Sequence, residues 1–427
     1  MRVVIVGAGF AGLSAARALC KADAEVVLVD RNNHHLFQAL LYQVASAGLS
    51  PAEVATPIRP LLRHQKNLKV LMGELTAVHP DRREIELDHR TSLSYDYLIL
   101  ALGVRTSYFG SDAWARYAPG LKSAAEAVRV RESVLVGFEK AESETDPAER
   151  ERLMTTVVVG GGPTGVELAG AFAELRRNVL RWDYDNIRAE EARVVLIEAG
   201  PRLLAGYSER LSRKAEAHLA SLGVEVRVGE RVTDVQSHRV RTQQGEIAAQ
   251  TIVWTAGVRG TEMTARLGFD LDRVGRVSLG SDLKLCDRVY CAGDMAHVDQ
   301  DGKPLPGVAP VAMGEGAHAA GNVLREMAGQ PPLPFRYRFR EDIATLGRSA
   351  AVFQWGRVEL TGFPAWFAWL WLHLWRIADL QNRLLVFSRW TWAYFAWKWG
   401  VRLILGKHEP SSGQQTHEAR QSEDPAR

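Results

Sequence analysis

Two short apolar runs, Val3–Val6 and Val157–Val159, each open into a glycine cluster and then into a helical pattern. β-Branched runs without polar alternation suit strands buried on both faces, as parallel sheets require. A second run ending on an acid follows each cluster, EVVLVD over 25–30 and RVVLIE over 193–198. The pattern predicts two strand–helix–strand units, and the unlike segments between them exclude a solenoid. Further strands are predicted at Tyr97–Ala101, Thr251–Thr255 and Val289–Ala292. They end at Gly103, Gly257 and Gly293, where the backbone must turn sharply, often close to a ligand. The polar, proline-containing stretch 141–152 reads as a surface connection, and the tail 408–427, rich in Ser, Gln, Glu and Pro, reads as disordered.

Composition narrows the class. A chain of 427 residues with 46% hydrophobic and 24% charged residues is globular and long enough for two or three domains. That balance excludes disordered, collagen-like and disulfide-scaffold chains. A net charge of +3 gives no case for nucleic acid. Cys20, Cys286 and Cys291 form no CxxC pair, so neither a redox dithiol nor a metal site is expected. The N-terminus runs straight into MRVVIVGAGFAG without the pattern of a signal peptide.

The glycine clusters carry the candidate chemistry. In GxGxxG the first glycine permits the turn, the second lets backbone approach a pyrophosphate, and the third lets helix and strand pack closely. The helix N-terminus adds N–H donors and a positive dipole end. Gly7, Gly9 and Gly12, with Asp30 ending the next strand, meet each part of this, and Gly160, Gly162, Gly165 and Glu198 repeat it. An acidic Glu198 repels a 2′-phosphate, so the second site is expected to prefer NADH to NADPH. Arg202, four residues on, is the cation placed to soften that choice. Two nucleotide sites in one chain suggest a flavoprotein that receives hydride from a nicotinamide.

These fingerprints, with Ala101-Leu102-Gly103, Val166-Glu167-Leu168, Thr255-Ala256-Gly257 and Ala292-Gly293-Asp294, resemble the two-dinucleotide-binding flavoprotein oxidoreductases. The resemblance implies an α/β fold with two Rossmann-like domains, FAD at the first fingerprint and NADH at the inserted second. It places Asp294 on the flavin's ribityl chain. Within that superfamily the chain is most similar to type II NADH:quinone oxidoreductases, which do not pump protons. HLFQALLYQVA over 35–45 resembles the family's flavin-side segment, with Ala39 where proline is usual. PTGVELAG over 163–170 resembles its nicotinamide-site helix, which puts Glu167 near the carboxamide. The implied division is 1–112 and 258–334 for the FAD domain, 113–257 for the inserted NADH domain, 335–407 for a C-terminal membrane-surface and dimerisation region and 408–427 for the disordered tail. FAD and NADH contacts are expected from Gly7, Gly9, Gly12, Asp30, Ala101, Gly103, Gly293 and Asp294, and from Gly160, Gly162, Gly165, Glu167, Glu198 and Gly257. No acid–base residue is assigned, because hydride transfer does not require one.

The acceptor is read by elimination and from the C-terminus. Related quinone enzymes that oxidise sulfide use paired cysteines at the flavin, whereas Cys286 and Cys291 here read as packing residues. Type II enzymes carry an AQxAxQ-like motif whose glutamines line the quinone site; here Pro310 and Gly314 stand in their place, with Glu315 and His318 nearby. Eight of the 12 tryptophans fall within 366–399, interleaved with Arg376, Arg383, Arg389, Lys398, Arg402 and Lys407 against a single acid, Asp379. The uncharged run 363–375 is too short to span a bilayer, which takes about 20 residues. Aromatic and basic residues interleaved in this way describe helices lying in a membrane surface. A dimer interface or a core lid is the competing account of the same residues. The expectation is an enzyme on the cytoplasmic face of a membrane, a homodimer, with membrane quinone as its partner. The alternative is an NADH-reducible flavoprotein that senses redox state or uses oxygen or a protein acceptor.

Overall fold

The computed structural model describes residues 1–338, 341–396 and 401–404. The tail 408–427, Trp397, Lys398, Trp399 and Lys407 lie outside the described residues. The chain begins β1 (Arg2–Val6), α1 (Phe10–Ala18), β2 (Glu25–Asp30), then a short helix α2 (Leu41–Ala45), β3 (Leu68–Met72) and β4 (Tyr97–Leu100). These four strands are parallel and pair in the order β4-β1-β2-β3. Alternate residues of β1 enter different cores: Val3 and Ile5 pack with α1, while Val4 and Val6 pack on the opposite face with Leu75, Ile85 and Leu87. Burial on both faces is what the unbroken valine run requires.

The chain then leaves this sheet to build a second. Helix α3 (Ala124–Ser143) precedes β5 (Thr155–Val159), α4 (Pro163–Glu174), β6 (Arg193–Glu198), β7 (Val224–Val228) and β8 (Thr251–Trp254). The four strands are parallel, in the order β7-β6-β5-β8. The stretch 141–152, expected as a surface connection, is largely helical. It finishes α3 and, after a break at 144–146, enters a helix over Pro147–Leu153 whose first turn is capped by the Asp146 carboxylate. Its polar residues are the solvated side of these helices.

At β9 (Lys284–Cys286) and β10 (Val289–Cys291) the chain returns to the first sheet. Strand β10 adds parallel to β4, and β9 runs antiparallel at the edge. Helix α5 (Ala309–Met327) then packs on α1 so closely that a Cβ on Gly316 would stand 2.0 Å from the Ala11 carbonyl oxygen. Before the C-terminal helices comes a sheet that the sequence reading did not include: β11 (Glu341–Gly347), β12 (Ala350–Trp355) and β13 (Val358–Thr361), all antiparallel. It is pinned to the second unit where Gly170 of α4 meets the Leu346 carbonyl, 2.5 Å from where a Cβ would sit. Helices α6 (Phe363–Arg376) and α7 (Leu380–Ala396) follow. Among the described residues no helix is long and apolar enough to cross a membrane.

The contact between α1 and α5 gives a direct test. Alanine in a helix interior normally gains about 1 kcal/mol over glycine, but Gly316→Ala must displace a backbone carbonyl. Overpacking wins, and the variant is expected to lose about 1–3 kcal/mol in chemical denaturation.

Candidate active site

The two glycine clusters have the same geometry, glycine by glycine. Gly7 and Gly160 take left-handed backbone with φ +101° and +112°, and a Cβ on them would lie 2.2 Å from the Ala101 carbonyl oxygen and 2.7 Å from the Ala256 amide nitrogen. Gly9 and Gly162 face open space, with no atom within 4 Å of a built Cβ. Gly12 and Gly165 sit with a would-be Cβ 1.7 Å and 1.8 Å from the carbonyl oxygens of Gly7 and Gly160. One glycine turns, one leaves room for a ligand, and one lets the helix sit on the strand end. Gly9 and Gly162 are also the N-caps of α1 and α4, so amide donors and the positive helix end face the open room.

The strand-end acids close both loops in the same manner. Asp30 accepts from Ala8 N at 2.6 Å and from Asn32 N at 2.7 Å. Glu198 accepts from Gly161 N and Gly200 N, both at 2.6 Å. Each carboxylate is thereby held at the rim of its loop, where a ribose would lie. Arg202 does not reach toward this rim: its guanidinium donates to the carbonyls of Leu204, Ala205 and Tyr207. The expected softening of cofactor choice by Arg202 is therefore not supported. His35, buried, holds the first loop from beneath through Nδ1 and the Ala8 carbonyl at 2.8 Å, and burial lowers its pKa.

Three other glycines line the same region with different duties. Gly103 has φ +65° and open space around it. Gly293, at φ +80°, abuts the Cβ of Ala11 on α1. Gly257, at φ +74°, is covered by the Phe109 ring, 2.6 Å from a would-be Cβ, so its neighbour here is protein. Ala101 closes against β1, donating to Val6 O at 2.8 Å. Asp294 stands beside Gly307, just ahead of the N-terminus of α5 at Ala309. Burial raises its carboxyl, while Lys122 and Arg276 act in the opposite direction. The open room at Gly9 and Gly162, the amide donors and the two rim acids fit dinucleotides. FAD would be held by the first loop with Asp30 and Asp294, and NADH by the second with Glu198.

Helix α5 begins at Ala309 with Pro310 in its first turn, and Gly314 faces the Phe335 ring, so neither replaces a glutamine's hydrogen bonds. Glu315 is turned inward. It is 2% exposed and accepts from Gly293 N at 2.7 Å, and burial pushes its carboxyl up to about 8. His318 points away, to the Leu333 carbonyl at 2.7 Å. Cys291 is buried in the sheet, Cys286 is half-buried, and both are free thiols, as packing residues should be.

Glu167 lies at the second turn of α4, buried, accepting from Thr345 N of β11 at 3.3 Å. It lines a cavity of about 110 Å³ with Tyr42 and Gln43 of α2, Trp369 of α6, and Trp390 of α7. Gln43 accepts from the Trp390 indole at 2.7 Å and donates to Tyr42 at 2.9 Å. Burial pushes Glu167 up to about 8. The structure thus brings Glu167 to the meeting of both units and the C-terminal helices. The sequence reading missed Glu174, which lines the same cavity. Its signal was present: it follows Glu167 by seven positions within an apolar helical run.

Helices α6 and α7 cover this cavity. Ala365, Trp369 and His373 face inward, while Phe363, Phe367, Trp371 and Trp375 form an outward stripe, 54% to 67% exposed. Leu380, Leu384, Phe387 and Trp392 continue it on α7. The basic residues are committed inward more than expected: Arg376 pairs with Glu341, Arg389 with Glu53 at 2.9 Å, and Arg402 with Asp183. Arg383 donates to the Ile377 carbonyl and lies over the Trp375 ring.

Comparisons with known proteins agree with this geometry. The family model described as "Pyridine nucleotide-disulphide oxidoreductase" matches residues 1–316. A "Type II NADH:quinone oxidoreductase Ndh" of Mycobacterium tuberculosis is 39% identical over 94% of this chain and 90% of its own length. A second from the same organism, named NdhA, is 39% identical over 91% of this chain and 86% of its own. Among solved structures, NDH2 from Plasmodium falciparum in complex with NADH superposes with a TM-score of 0.86 at 18% identity, covering 95% of this chain and 99% of that one.

Glu315 supplies a pH test. Its folded pKa is raised, so its contribution to stability is fully present below the unfolded value near 4.5 and is lost as pH climbs through about 8. Glu315→Gln keeps an acceptor for Gly293 N without the buried charge. It is expected to melt about 2–4 °C above wild type at pH 9 and to match it at pH 4, as read by thermal denaturation across that range.

Proposed function

The chain belongs to the type II NADH:quinone oxidoreductase family of pyridine nucleotide-disulphide oxidoreductases, and we propose that it oxidises NADH and reduces a membrane quinone by two electrons without pumping protons. The observation that carries this reading is the pair of matching glycine cradles, each closed by a strand-end acid, in one chain. FAD, when bound, supplies the hydride-accepting and electron-passing chemistry, and the protein contributes binding, alignment and exclusion of water. Gly7, Gly9, Gly12 and Asp30 hold the FAD dinucleotide, Asp294 its ribityl side. Ala101, Gly103 and Gly293 let backbone approach it. Gly160, Gly162, Gly165 and Glu198 hold NADH. Gly257 shapes the edge of that site, and Glu167 sits toward the nicotinamide.

The acceptor side is supported by the cavity beneath α6 and α7, aromatic and largely apolar in surface, with polar groups at Tyr42, Gln43 and Thr345 and charged side chains at Glu167, Glu174 and Arg348. Pro310 and Gly314 leave head-group recognition to such residues. The outward stripe of Phe363, Phe367, Trp371 and Trp375 suits the headgroup boundary of a membrane. On this reading the enzyme lies on the surface facing the NADH pool, the cytoplasmic face, and a second copy of the chain is the competing occupant of that stripe. A redox-sensing role or another acceptor is favoured only by Pro310 and Gly314.

Three experiments test this reading. Anaerobic addition of NADH is expected to bleach the flavin, and a short-chain quinone to restore it at once; bleaching without recolouring would remove the quinone and favour a sensor. Glu198→Arg deletes a charged acceptor at the ribose, worth about 1.5–3 kcal/mol. It is expected to raise KM for NADH about tenfold or more and to relax the preference against NADPH; an unchanged NADH/NADPH ratio sinks the assignment. In flotation with anionic vesicles, wild type is expected to rise with lipid and Phe367→Ser/Trp371→Ser/Trp375→Ser to stay behind. Loss of a dimer in the triple variant with vesicle binding retained would assign the stripe to a second copy.

A further inference from the structure

Seven residues after Glu167, α4 carries a second buried carboxyl. Glu174 is 8% exposed and lies two turns along on nearly the same helix face, roughly 10 Å away by helix rise. Both acids line the one cavity of about 110 Å³. At about 30 Å³ per water that volume accommodates about three waters. Gln43, Ser46 and Thr345 supply polar partners along the wall. Water-bridged proton exchange between the two carboxyls is therefore within the dimensions of the cavity.

The surroundings of Glu174 favour exchange over permanent charge. It accepts from the backbone N–H of Arg348. The Arg348 guanidinium is turned to Tyr394, lying 4.2 Å from its ring centroid and donating to its carbonyl. Tyr42 lines the cavity with both acids, and Tyr207 is buried; burial holds both phenols well above their ordinary pKa, so they stay neutral. Arg348 is then the cation beside Glu174, and burial outweighs it, pushing Glu174 up to about 7. Beside Gly347, where a Cβ would stand 2.7 Å from Glu174 Oε1, the half-buried Arg348 lines the same cavity.

Quinone reduction by NADH is short of one proton. The hydride carries two electrons and one proton, quinol formation takes two electrons and two protons, and so one proton comes from water in each turnover. Resting on the quinone reading above, we propose that Glu174 relays this proton from beside the half-buried Arg348 and Tyr394 that line the cavity toward Glu167 and the acceptor. Glu174 releases its proton to a cavity water and regains one from solvent, ending each turnover unchanged, and no electron passes through it.

The test compares two acceptors in the flavin-loaded enzyme. A short-chain quinone needs the proton; ferricyanide takes electrons alone. Wild-type kcat with quinone is expected to fall as pH rises through about 7 while the ferricyanide rate stays flat. Glu174→Gln is expected to lower quinone kcat about tenfold and abolish that pH step, with ferricyanide turnover within twofold of wild type, and Glu174→Asp to recover part of the loss. Equal losses with both acceptors would reduce Glu174 to a prop for the Gly347–Arg348 turn and overturn the proposal; so would an unchanged quinone rate and pH profile. Wild type that reduces ferricyanide but never quinone removes the functional reading itself. If Glu174→Gln fails to fold, the wild-type solvent deuterium effect decides. A larger effect with quinone than with ferricyanide supports the relay, and equal effects overturn it.

Discussion

The fold turns on two places where a helix N-terminus rests on the carbonyl of the glycine that ends a strand. At Gly12 over Gly7 and at Gly165 over Gly160, a Cβ would lie 1.7 Å and 1.8 Å from oxygen, about half of a normal contact. Any side chain there lifts the helix by more than an ångström. The lift would carry the N-terminal amides away from a pyrophosphate and open the loop that Asp30 and Glu198 close at 2.6 Å. The strand register, the acid at the end of the next strand and the open face at Gly9 and Gly162 all serve that approach. Because the device occurs twice, the chain can hold two dinucleotides, and the sheets between them only need to aim the two loops.

What was legible in the sequence was local. The valine runs, the glycine spacing and the terminal acids are short-range patterns, and each corresponds to an element in the structure. The helices across 124–153 were missed although their signals were there: Ser123 and Glu126 form a capping box, and Asp146 followed by Pro147 starts the next helix. The return of β10 beside β4 joins residues almost two hundred positions apart, and short-range periodicity does not encode it. Burial of Glu174 and Glu315 is likewise tertiary, since each becomes unusual only when another element covers it. The same holds for Arg376 and Arg389, which in sequence read as a membrane-facing charge pattern and in the fold pair with Glu341 and Glu53.

For the membrane attachment proposed above, that pairing shifts the physical basis from charge to hydrophobicity. With Arg376, Arg389 and Arg402 neutralised by acids of the protein body, anionic lipid has fewer free cations to attract, and the apolar stripe carries the argument. The 14 residues of α6 give about 21 Å of rise, short of a hydrocarbon core of about 30 Å. Exposed phenylalanine and tryptophan along one whole face, with a buried face opposite, fit a helix lying flat.

The two faces of α6 then have linked consequences. On the membrane-surface reading proposed above, its outer stripe would meet the apolar phase, while Trp369 on its inner face lines the cavity that holds Glu167 and Glu174. A lipid-soluble acceptor approaching from the outer side has only the thickness of this helical layer, about 10 Å, between the surface and the buried acids. Protons have no such route through an apolar phase, and the half-buried Arg348 lines the same cavity. Placing the carboxyls along α4, which also begins at the second glycine cradle, ties nucleotide site, acceptor cavity and proton supply to one rigid helix. The alignment needed for electron transfer and the path needed for the proton are therefore set together by how α4 sits on β5, which is the contact that Gly165 permits.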